Sequence, residues 1–495
     1  MNTLLVYPEI PETFWSFKHA LRFIGKSASQ PPLGLATIAS MLPDTWLMHM
    51  VDMNVRPLRD RHLKWADLVL VSGMTLQRDS AREIIKRSKE AGCTVIAGGP
   101  LFTLEHDSFE EVDHFVLNEA ELTLPPFLED FQIGRPEHLY TTESFCDLTT
   151  SPVPRWSLIE QNRYATMGLQ FSRGCPFDCE FCNVTTLFGH KPRTKSAGQI
   201  IRELDEMYAS GWRGSAFFVD DNLIGHKKAL KQDLLPALIE WRKDKVGYSF
   251  NTQASINLAD DEDLTHAMVE AGFRTVFIGV ETPSEESLAE CGKKHNLRRD
   301  LVQDIKKLQH AGLEVQGGFI VGFDNDTTTI FQRQIDFIQK TGIVTAMVGM
   351  LQAPAGTKLF DRLRKAGRLL GQMSGDNVDG STNILPRMGL DALHQGYQHI
   401  LDSIYQPKQY YERVKTFLRE YEPPRIRIRL PFKQMVENTR ALFRSMIRLG
   451  VLGKERLEYW KLLGWTLLRK PRQLPIAVTF AIYGYHFRTI CSPQG

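Results

Sequence analysis

"FSRGCPFDCEFC" (residues 171–182) places Cys175, Cys179 and Cys182 within eight residues of a 495-residue chain that has only seven cysteines. The other four are scattered along the sequence: Cys93, Cys146, Cys291 and Cys491. An odd triplet does not make a disulfide framework, and no nearby CxxC or HxxxH pair completes a four-ligand zinc site. The triplet therefore predicts a site that needs three thiolates and leaves one metal position open.

The sequence on both sides of the triplet alternates between short apolar strands and helices, from "ATMGLQFSRG" (165–174) to "TAMVGMLQ" (345–352). Six such strands predict a partial (β/α)6 barrel, which we expect over residues 165–370. Sites in these barrels lie at the carboxyl ends of the strands, and the triplet follows the first strand. The cysteines are therefore expected at the mouth of the barrel.

The first 140 residues show the same alternation, with strand-like runs such as "TLLVY" (3–7) and "TVIAGGP" (94–100). This pattern predicts a doubly wound parallel sheet, which binds ligands beyond the carboxyl ends of its strands. The residues expected there are Asp52 to Asn54, Ser72 to Met74, Gly98 to Pro100 and Asn118 to Glu121, with Pro31, Pro32 and Gly34 from a nearby loop.

The rest of the chain divides into a linker (141–164) and a C-terminal region (371–495) that reads as mainly helical. The predicted fold class is thus α/β, with a parallel sheet, a partial barrel and a helical domain in that order. From Pro424 onward, 14 Lys or Arg stand against three Glu, and aromatic residues are interleaved with them. Two interpretations stay open: a helical cap with a solvated basic face, or a surface that meets anionic lipid.

The composition limits the function classes. Net charge is +2, with 42% hydrophobic and 24% charged residues, which gives no reason to expect a nucleic-acid partner. The N-terminus lacks the basic lead and apolar core of a signal peptide, and no run reaches the roughly 18 apolar residues of a membrane span. We therefore expect a cytoplasmic protein whose clustered thiols serve metal or redox chemistry. Peripheral contact with the inner face of the membrane stays open.

The triplet Cys175-x3-Cys179-x2-Cys182 resembles the signature of the radical S-adenosylmethionine enzymes. The resemblance implies a [4Fe–4S] cluster on the three thiolates and S-adenosylmethionine chelated at the open iron, where its reductive cleavage gives a 5′-deoxyadenosyl radical. "FFVDDN" (217–222), "NTQAS" (251–255), "GVET" (279–282) and "GGFIVGF" (317–323) fall at later strand ends, as this family requires. They nominate cofactor contacts at Asp221, Asn222, Gln253, Ser255, Glu281 and Gly322, each with a packing role as the alternative.

The N-terminal sheet is similar to that of the cobalamin-binding class of this family, through "PPLGLA" (31–36), "VSGM" (71–74), "AGGP" (97–100) and "LNEAE" (117–121). The nominated cobalamin contacts are Pro32, Gly34, Asp52, Ser72, Met74, Gln77, Gly98, Gly99, Pro100 and Glu119. The motif Asp-x-His-x-x-Gly is absent, so cobalamin is expected without a histidine on its lower cobalt face, and a residue near Ser72–Gln77 would fill that space. A degenerate sheet without cobalamin is the alternative.

Longer stretches, such as "LQAPAGTKLFDRL" (351–363) and "LPIAVTFAIYGYHFR" (474–488), resemble the branch that contains hopanoid methylases, bacteriochlorophyll side-chain methylases and tetraether ring synthases. This implies methyl transfer to an unactivated carbon of a small hydrophobic lipid or pigment, with a one-electron reductant such as flavodoxin or ferredoxin. The alternatives are a radical C–C coupling enzyme or cyclase without net methylation, and a non-catalytic cobalamin-binding sensor. The sequence nominates no catalytic side chain beyond the cofactor contacts.

Overall fold

The computed structural model of the chain describes residues 1–376, 378–424 and 429–491, and it begins with a six-stranded, fully parallel sheet. Its strands are β1 (Asn2–Tyr7), β2 (Leu47–Asp52), β3 (Leu68–Ser72), β4 (Thr94–Gly98), β5 (His114–Val116) and β6 (Leu139–Tyr140). Their spatial order is β2-β1-β3-β4-β5-β6. The strand order reverses between β1 and β3, and ligands of such sheets bind at this switch point.

Helices cover both faces of this sheet. They are α2 (Leu33–Met41), α3 (Asp60–Trp65), α4 (Arg78–Glu90), α5 (Pro100–Glu105) and α6 (Ala120–Gln132), whereas α1 (Lys18–Ile24), which precedes them in the chain, packs against the C-terminal helices. Because side chains alternate along a strand, Leu4 and Val6 enter one apolar core while Leu5 enters the other. The sheet is buried on both sides, which confirms the doubly wound prediction.

The second unit is a six-stranded parallel sheet in the order β14-β13-β12-β11-β10-β7, beside a two-stranded antiparallel pair, β8-β9. The strands are β7 (Thr166–Leu169), β8 (Ser172–Arg173), β9 (Arg193–Thr194), β10 (Ser215–Phe218), β11 (Phe250–Ala254), β12 (Phe273–Glu281), β13 (Glu314–Val321) and β14 (Ala346–Met350). Its helices are α7 (Val184–Phe188), α8 (Ala197–Ala209), α9 (Lys227–Ala229), α10 (Leu235–Arg242), α11 (Glu262–Ala271), α12 (Glu285–Glu290), α13 (Leu301–His310), α14 (Thr329–Thr341) and α15 (Lys358–Lys365). β7 and β14 do not pair, so the barrel is partial, as predicted.

Five long helices form the C-terminal region: α16 (Leu390–Tyr405), α17 (Pro407–Glu420), α18 (Phe432–Ser445), α19 (Arg456–Arg469) and α20 (Leu474–Cys491). This confirms its mainly helical character. Within the described residues, none of the helices combines the length and apolarity needed to cross a bilayer. Arg425 and Arg427, which contribute to the predicted basic surplus, lie outside the described residues.

A segment after β1 ties the three units together. Phe14 stacks on Phe487 of α20 with ring centroids 4.3 Å apart, and the carbonyl of Phe14 lies 2.9 Å from Nε2 of His486. The next residue, Trp15, donates from Nε1 to Sδ of Met347 on β14 at 2.9 Å. Because this segment belongs to more than one unit, the domain boundaries at residues 140, 164 and 370 stay predictions.

Candidate active site

The carboxyl edges of the two sheets are joined by four buried charged residues, Glu119, Glu121, Arg173 and Arg193, which we call the interdomain ion cluster. Arg173 lies 3.1 Å from Glu119 and 2.8 Å from Glu121, and Arg193 lies 2.8 Å from Glu119. Burial acts to raise the pKa of Glu121, but the hydrogen bonds and charge of Arg173 prevail and lower it to about 2. The cluster therefore stays ionised and fixes the loop before the cysteines to the end of β5.

A second tether joins the same two edges through the glycine-rich segment after α15. Arg78 donates to the carbonyl of Met373 at 3.2 Å, and Gln352, just after β14, donates to the carbonyl of Asp376 at 3.0 Å. Gly375 has φ +81°, and a Cβ on it would lie 2.7 Å from the amide nitrogen of Leu76. With tethers at two places, the strand ends of the sheet and of the barrel face each other across one space.

The cysteine loop lies on the barrel side of this space. Cys175, Cys179 and Cys182 are half-buried, and burial raises the pKa of each thiol, that of Cys182 to about 12. Gly174 precedes them with φ +95°, and a Cβ there would lie 2.9 Å from the carbonyl of Lys191. Phe177 within the loop stacks on His295 at 3.8 Å. The loop is thus held by close packing at Gly174 and Phe177.

The donor set fits the predicted cluster better than a single ion. In the part of the chain that the structure describes, no three His, Cys, Asp or Glu side chains converge as one metal ion would require. Cluster ligands each bind a different iron and stand further apart than ligands of one ion. Three thiols on one loop match the number of protein ligands that a [4Fe–4S] cluster with one open iron takes, and this assignment stays a prediction.

Lys293 and Glu281 form a buried ion pair beside the thiols, with Nζ 2.5 Å from Oε1. Desolvation acts to lower the pKa of Lys293, but Glu281 and Cys179 raise it above its usual range, so the lysine carries its charge. A Cβ on Gly279 would lie 2.4 Å from Oε1 of Glu281 and 2.7 Å from Nζ of Lys293, so a larger residue there would displace both ends of the ion pair. Lys293 could not be predicted from sequence, because "GKKHN" (292–296) carries no recognisable motif.

The two aspartates of "FFVDDN" have different roles. Asp220 is buried and accepts hydrogen bonds from the amides of Phe171 and Ser172, at 3.0 and 2.5 Å, so it anchors the segment that leads into the cysteine loop. Asp221 is exposed at the barrel mouth, where desolvation by the surrounding protein and then the charge of Asp220 raise its pKa to about 6. Asp221 is thus the aspartate placed to meet a cationic ligand.

The other nominated S-adenosylmethionine contacts lie on the neighbouring strands. Oδ1 of Asn222 accepts from the amide of Ser255 at 3.1 Å and from its hydroxyl at 3.3 Å, which joins the ends of β10 and β11. Gln253 is half-buried on β11. Gly322 has φ +104°, and its amide donates to Asp326 at 2.9 Å. The structure brings these residues to one mouth, while their ligand contacts stay predictions.

The interior of the barrel is apolar below this mouth. Along β12, Phe277 and Gly279 are half-exposed while their neighbours are fully buried, so these two residues face the interior and the others face the helices. Trp15 enters from the first unit and contacts Phe277 edge-on, with ring centroids 5.4 Å apart. With Met347 opposite, these side chains give the interior an apolar floor.

Three of the residues nominated for cobalamin make contacts within the protein that join remote segments. Gln77 is buried, donates to the carbonyl of Pro8 at 2.6 Å and accepts from the amide of Met74 at 2.9 Å, which joins the loops at the β1/β3 switch point. Asp52 accepts from the hydroxyl of Tyr164 in the linker at 2.8 Å. Glu119 belongs to the interdomain ion cluster. Direct contact of these three with cobalamin stays untested.

The remaining nominated residues lie on three loops at the carboxyl edge of the first sheet, which we call the shelf (residues 31–34, 72–77 and 98–100). A Cβ on Gly34 would meet no atom within 4 Å, and Met74 is 40% exposed. Cβ atoms on Gly98 and Gly99 would lie 2.4 Å from the carbonyl of Val116 and from Oγ of Ser72, so this loop presents backbone only. Pro100 opens α5 at the same edge, and Pro32 precedes α2. Met74 is the most exposed side chain of residues 72–77, the segment predicted to lie beneath cobalt, and the contacts of these residues with cobalamin stay predictions.

Three family profiles match successive parts of the chain: the B12 binding domain over residues 27–128, the Radical SAM superfamily over 169–338, and a domain of unknown function (DUF4070) over 357–493. An uncharacterized methyltransferase from Synechocystis sp. is 38% identical over 98% of this chain and 91% of its own length. The hopanoid C-2 methylase of Rhodopseudomonas palustris is 32% identical over 92% of this chain and 88% of its own length.

A solved structure shares the arrangement of the units. The cobalamin-dependent S-adenosylmethionine radical enzyme OxsB, with aqua-cobalamin bound, superposes with a TM-score of 0.63 over 99% of this chain and 84% of its own, at 14% identity. At that identity the likeness is one of fold.

Proposed function

Because this chain belongs to the cobalamin-binding radical S-adenosylmethionine methyltransferases, we propose that it methylates an unactivated carbon of a polycyclic lipid. A lipid is favoured because the hopanoid C-2 methylase aligns with nearly the whole chain. A tetrapyrrole-type pigment is the second substrate class. The observation that carries the proposal is the interdomain ion cluster, which holds the cysteine loop against the carboxyl edge of the first sheet.

The enzyme uses a [4Fe–4S] cluster, S-adenosylmethionine and cobalamin. When bound, the cluster supplies the electron that cleaves S-adenosylmethionine, and cobalamin carries the methyl group to be transferred. We assign the cluster to Cys175, Cys179 and Cys182, and cobalamin to the shelf formed by the loops at 31–34, 72–77 and 98–100. Both groups would then open onto the space that the two tethers enclose.

The side chains at the barrel mouth bind and orient S-adenosylmethionine in this proposal. Asp221 receives the amino group of the methionine part, since its carboxylate is exposed and ionises more readily beside a cation. Glu281 and Gln253 receive the ribose hydroxyls, and Lys293 fixes the carboxylate of Glu281 in place. Preorganisation of this kind lowers the cost of holding the reactants in a productive geometry.

The apolar floor orients the substrate. Phe277, Met347 and Trp15 present ring and thioether surfaces to a hydrocarbon skeleton and leave little room for water. Exclusion of water protects a carbon radical from side reactions. A flat polycyclic substrate is therefore favoured over a strongly hydrated one.

An external one-electron reductant is required, and we propose a flavodoxin or ferredoxin for this role. The site of action in this proposal is the cytoplasm, with peripheral contact at the inner membrane face through the C-terminal region. A hydrophobic substrate that resides in a membrane gives such contact a purpose.

The test uses anaerobic, cluster-loaded protein with cobalamin, a chemical reductant, S-adenosylmethionine labelled at its methyl group, and either a hopanoid or a bacteriochlorophyllide. We expect labelled, methylated lipid, together with S-adenosylhomocysteine and 5′-deoxyadenosine. Turnover of the pigment alone would overturn the substrate class. 5′-Deoxyadenosine without S-adenosylhomocysteine would indicate coupling or cyclisation, and intact S-adenosylmethionine would indicate a non-catalytic sensor.

A further inference from the structure

The C-terminal helices expose large apolar side chains on one side. Exposure reaches 81% for Phe432 and 85% for Leu468. The full set, which we call the α18–α19 face, is Phe432, Met435, Phe443, Ile447, Val451, Leu452, Leu457, Trp460, Leu467 and Leu468. Scattered exposed apolar residues are ordinary, but ten within 37 consecutive residues are not.

The members of the face share one side of each helix. On α18 and the turn after it, Phe443, Ile447 and Val451 follow one another at intervals of four, the spacing of a single helical stripe. On α19, Leu457, Trp460, Leu467 and Leu468 are spaced by three, seven and one residues, which also brings them to one side of the helix over about three turns. Nε1 of Trp460 donates to the carbonyl of Gly450 at 2.9 Å, so the two stripes meet and form one surface.

The charges around the face are almost all positive. Each of the three Glu between residues 429 and 491 already has a cation: Glu437 pairs with Lys26 at 4.0 Å, Glu455 with Arg488 at 2.7 Å and Glu458 with Lys461 at 2.7 Å. Across the described ranges, ten cations in this region form no ion pair: Arg429, Lys433, Arg440, Arg444, Arg448, Lys454, Arg456, Arg469, Lys470 and Arg472. The face is therefore apolar with an uncompensated basic border.

The aromatic residues of α20 are not part of this surface. Phe480 and Phe487 of α20 are fully buried. Trp465, which lies on α19, is half-buried under Arg419. Of five aromatic residues interleaved with the basic residues in this region of the sequence (Trp460, Trp465, Phe480, Tyr483 and Phe487), only Trp460 is exposed. The structure thus makes α20 the helical cap and leaves α18 and α19 as the outward layer.

We propose that the α18–α19 face seats the protein on the headgroup layer of an anionic lipid bilayer. A second copy of the chain is disfavoured, because two faces with the same basic border repel each other. Anionic lipid supplies the missing charge, at about 1 kcal/mol per nearby Lys or Arg, while the apolar stripes enter the acyl boundary. The proposed function explains why membrane binding would be useful, and in this respect the inference rests on it. Binding to a bilayer does not itself require catalytic turnover.

The experiment is flotation of the purified full-length protein with phosphatidylcholine vesicles, with or without phosphatidylglycerol, at low and high salt. We expect binding to rise at least about tenfold with anionic lipid and to weaken with salt. The double variant Leu457→Glu/Leu468→Glu should lose binding to both kinds of vesicle. Ile133→Glu is the matched control, since Ile133 and Leu457 are both 69% exposed and Ile133 lies in the first unit.

A second variant, Lys454→Ser/Arg456→Ser/Arg469→Ser, changes no buried side chain and should lose the preference for anionic lipid. Binding that is insensitive to lipid charge and to both multiple variants would overturn the proposal. A second result would also overturn it: the wild type forms a dimer that Leu457→Glu/Leu468→Glu dissociates, and it does not bind vesicles. The α18–α19 face would then contact a second copy of the chain. Because the experiment does not measure methyl transfer, the vesicle-binding result can be interpreted even if the proposed function is wrong.

Discussion

Arg173, two residues before the first cysteine of the triplet, donates from Nη2 to Oε1 of Glu121 at 2.8 Å, across the gap between the two sheets. The side chain of Arg173 is 12% exposed and that of Glu121 is 5% exposed. Water therefore could not solvate either charge if its partner were removed. Removing one partner of such a pair leaves an uncompensated buried charge, which costs about 3–5 kcal/mol. The relative position of the two cofactor edges therefore depends on this contact.

Glu121→Gln tests that dependence, because it keeps the shape of the side chain and removes its charge. We expect S-adenosylmethionine cleavage within about twofold of wild type and methyl transfer lowered by about tenfold or more, since only the second step needs both edges aligned. Both products are measured in one reaction. Lys243→Met, at the exposed Lys243–Glu240 pair, is the control. Equal loss of both products would show that the pair acts on the barrel alone.

The cysteine assignment predicts that Cys175→Ala, Cys179→Ala or Cys182→Ala each abolishes the cluster and 5′-deoxyadenosine formation. Fold and cobalamin binding should survive, because the shelf belongs to the other unit. Iron and sulfide content, visible absorption and equilibrium binding of cobalamin are the measurements. Cys93→Ala, buried in the first unit, should retain the cluster. Full S-adenosylmethionine cleavage by any single triplet variant would refute the assignment.

The Lys293–Glu281 pair predicts a specific loss of S-adenosylmethionine binding. Lys293→Met leaves the carboxylate of Glu281 without its cation, and loss of a charged hydrogen bond costs about 1.5–3 kcal/mol, or about ten- to a hundredfold in affinity. Gly279→Ala should act in the same direction, because its Cβ displaces both partners. Equilibrium dialysis with the unreduced, cluster-loaded enzyme measures the affinity.

Lys294→Met is the matched control for this pair, since Lys294 adjoins Lys293 but is exposed. It should bind S-adenosylmethionine as the wild type does. If Lys293→Met and Lys294→Met weaken binding equally, the general positive charge of the segment matters and the pair does not.

His486 predicts a pH dependence of stability. Burial lowers the pKa of His486 to about 4, and the neutral ring faces the carbonyl of Phe14 at 2.9 Å. In the unfolded chain, His486 takes up a proton near pH 6.5, whereas in the folded chain it stays neutral until about pH 4. The contribution of neutral His486 to stability is therefore complete above pH 6.5 and is lost as the pH falls toward 4. The expected loss at pH 5 is about 2 kcal/mol in the free energy of unfolding.

Urea unfolding of wild type and His486→Gln from pH 7.5 to pH 4.5 measures this contribution. The variant should show a shallower slope, because glutamine donates a hydrogen bond without titrating. His399→Gln, an exposed histidine, should follow the wild type. Parallel slopes for His486→Gln and the wild type would show that His486 does not control this dependence.

The sequence by itself determined the α/β class, the parallel sheet, the partial barrel and the three-thiol loop. Each depends on local information: the period-two burial of Leu4, Leu5 and Val6, or cysteines close enough in sequence to share one loop. Such patterns constrain the backbone wherever the rest of the chain lies. The same holds for the strand-end positions of Asp221 and Glu281.

Only the tertiary structure decided which contacts those residues make with remote parts of the chain. Glu119 and Gln77 lie at the predicted edge, but their partners, Arg193 and Pro8, come from elsewhere in the chain. Lys293 acquires its role from Glu281, and the exposed face formed by α18 and α19 arises because α20, with the more apolar sequence, is buried. Pairing energies and burial depend on distances between segments remote in sequence, and those distances exist only once the chain has folded.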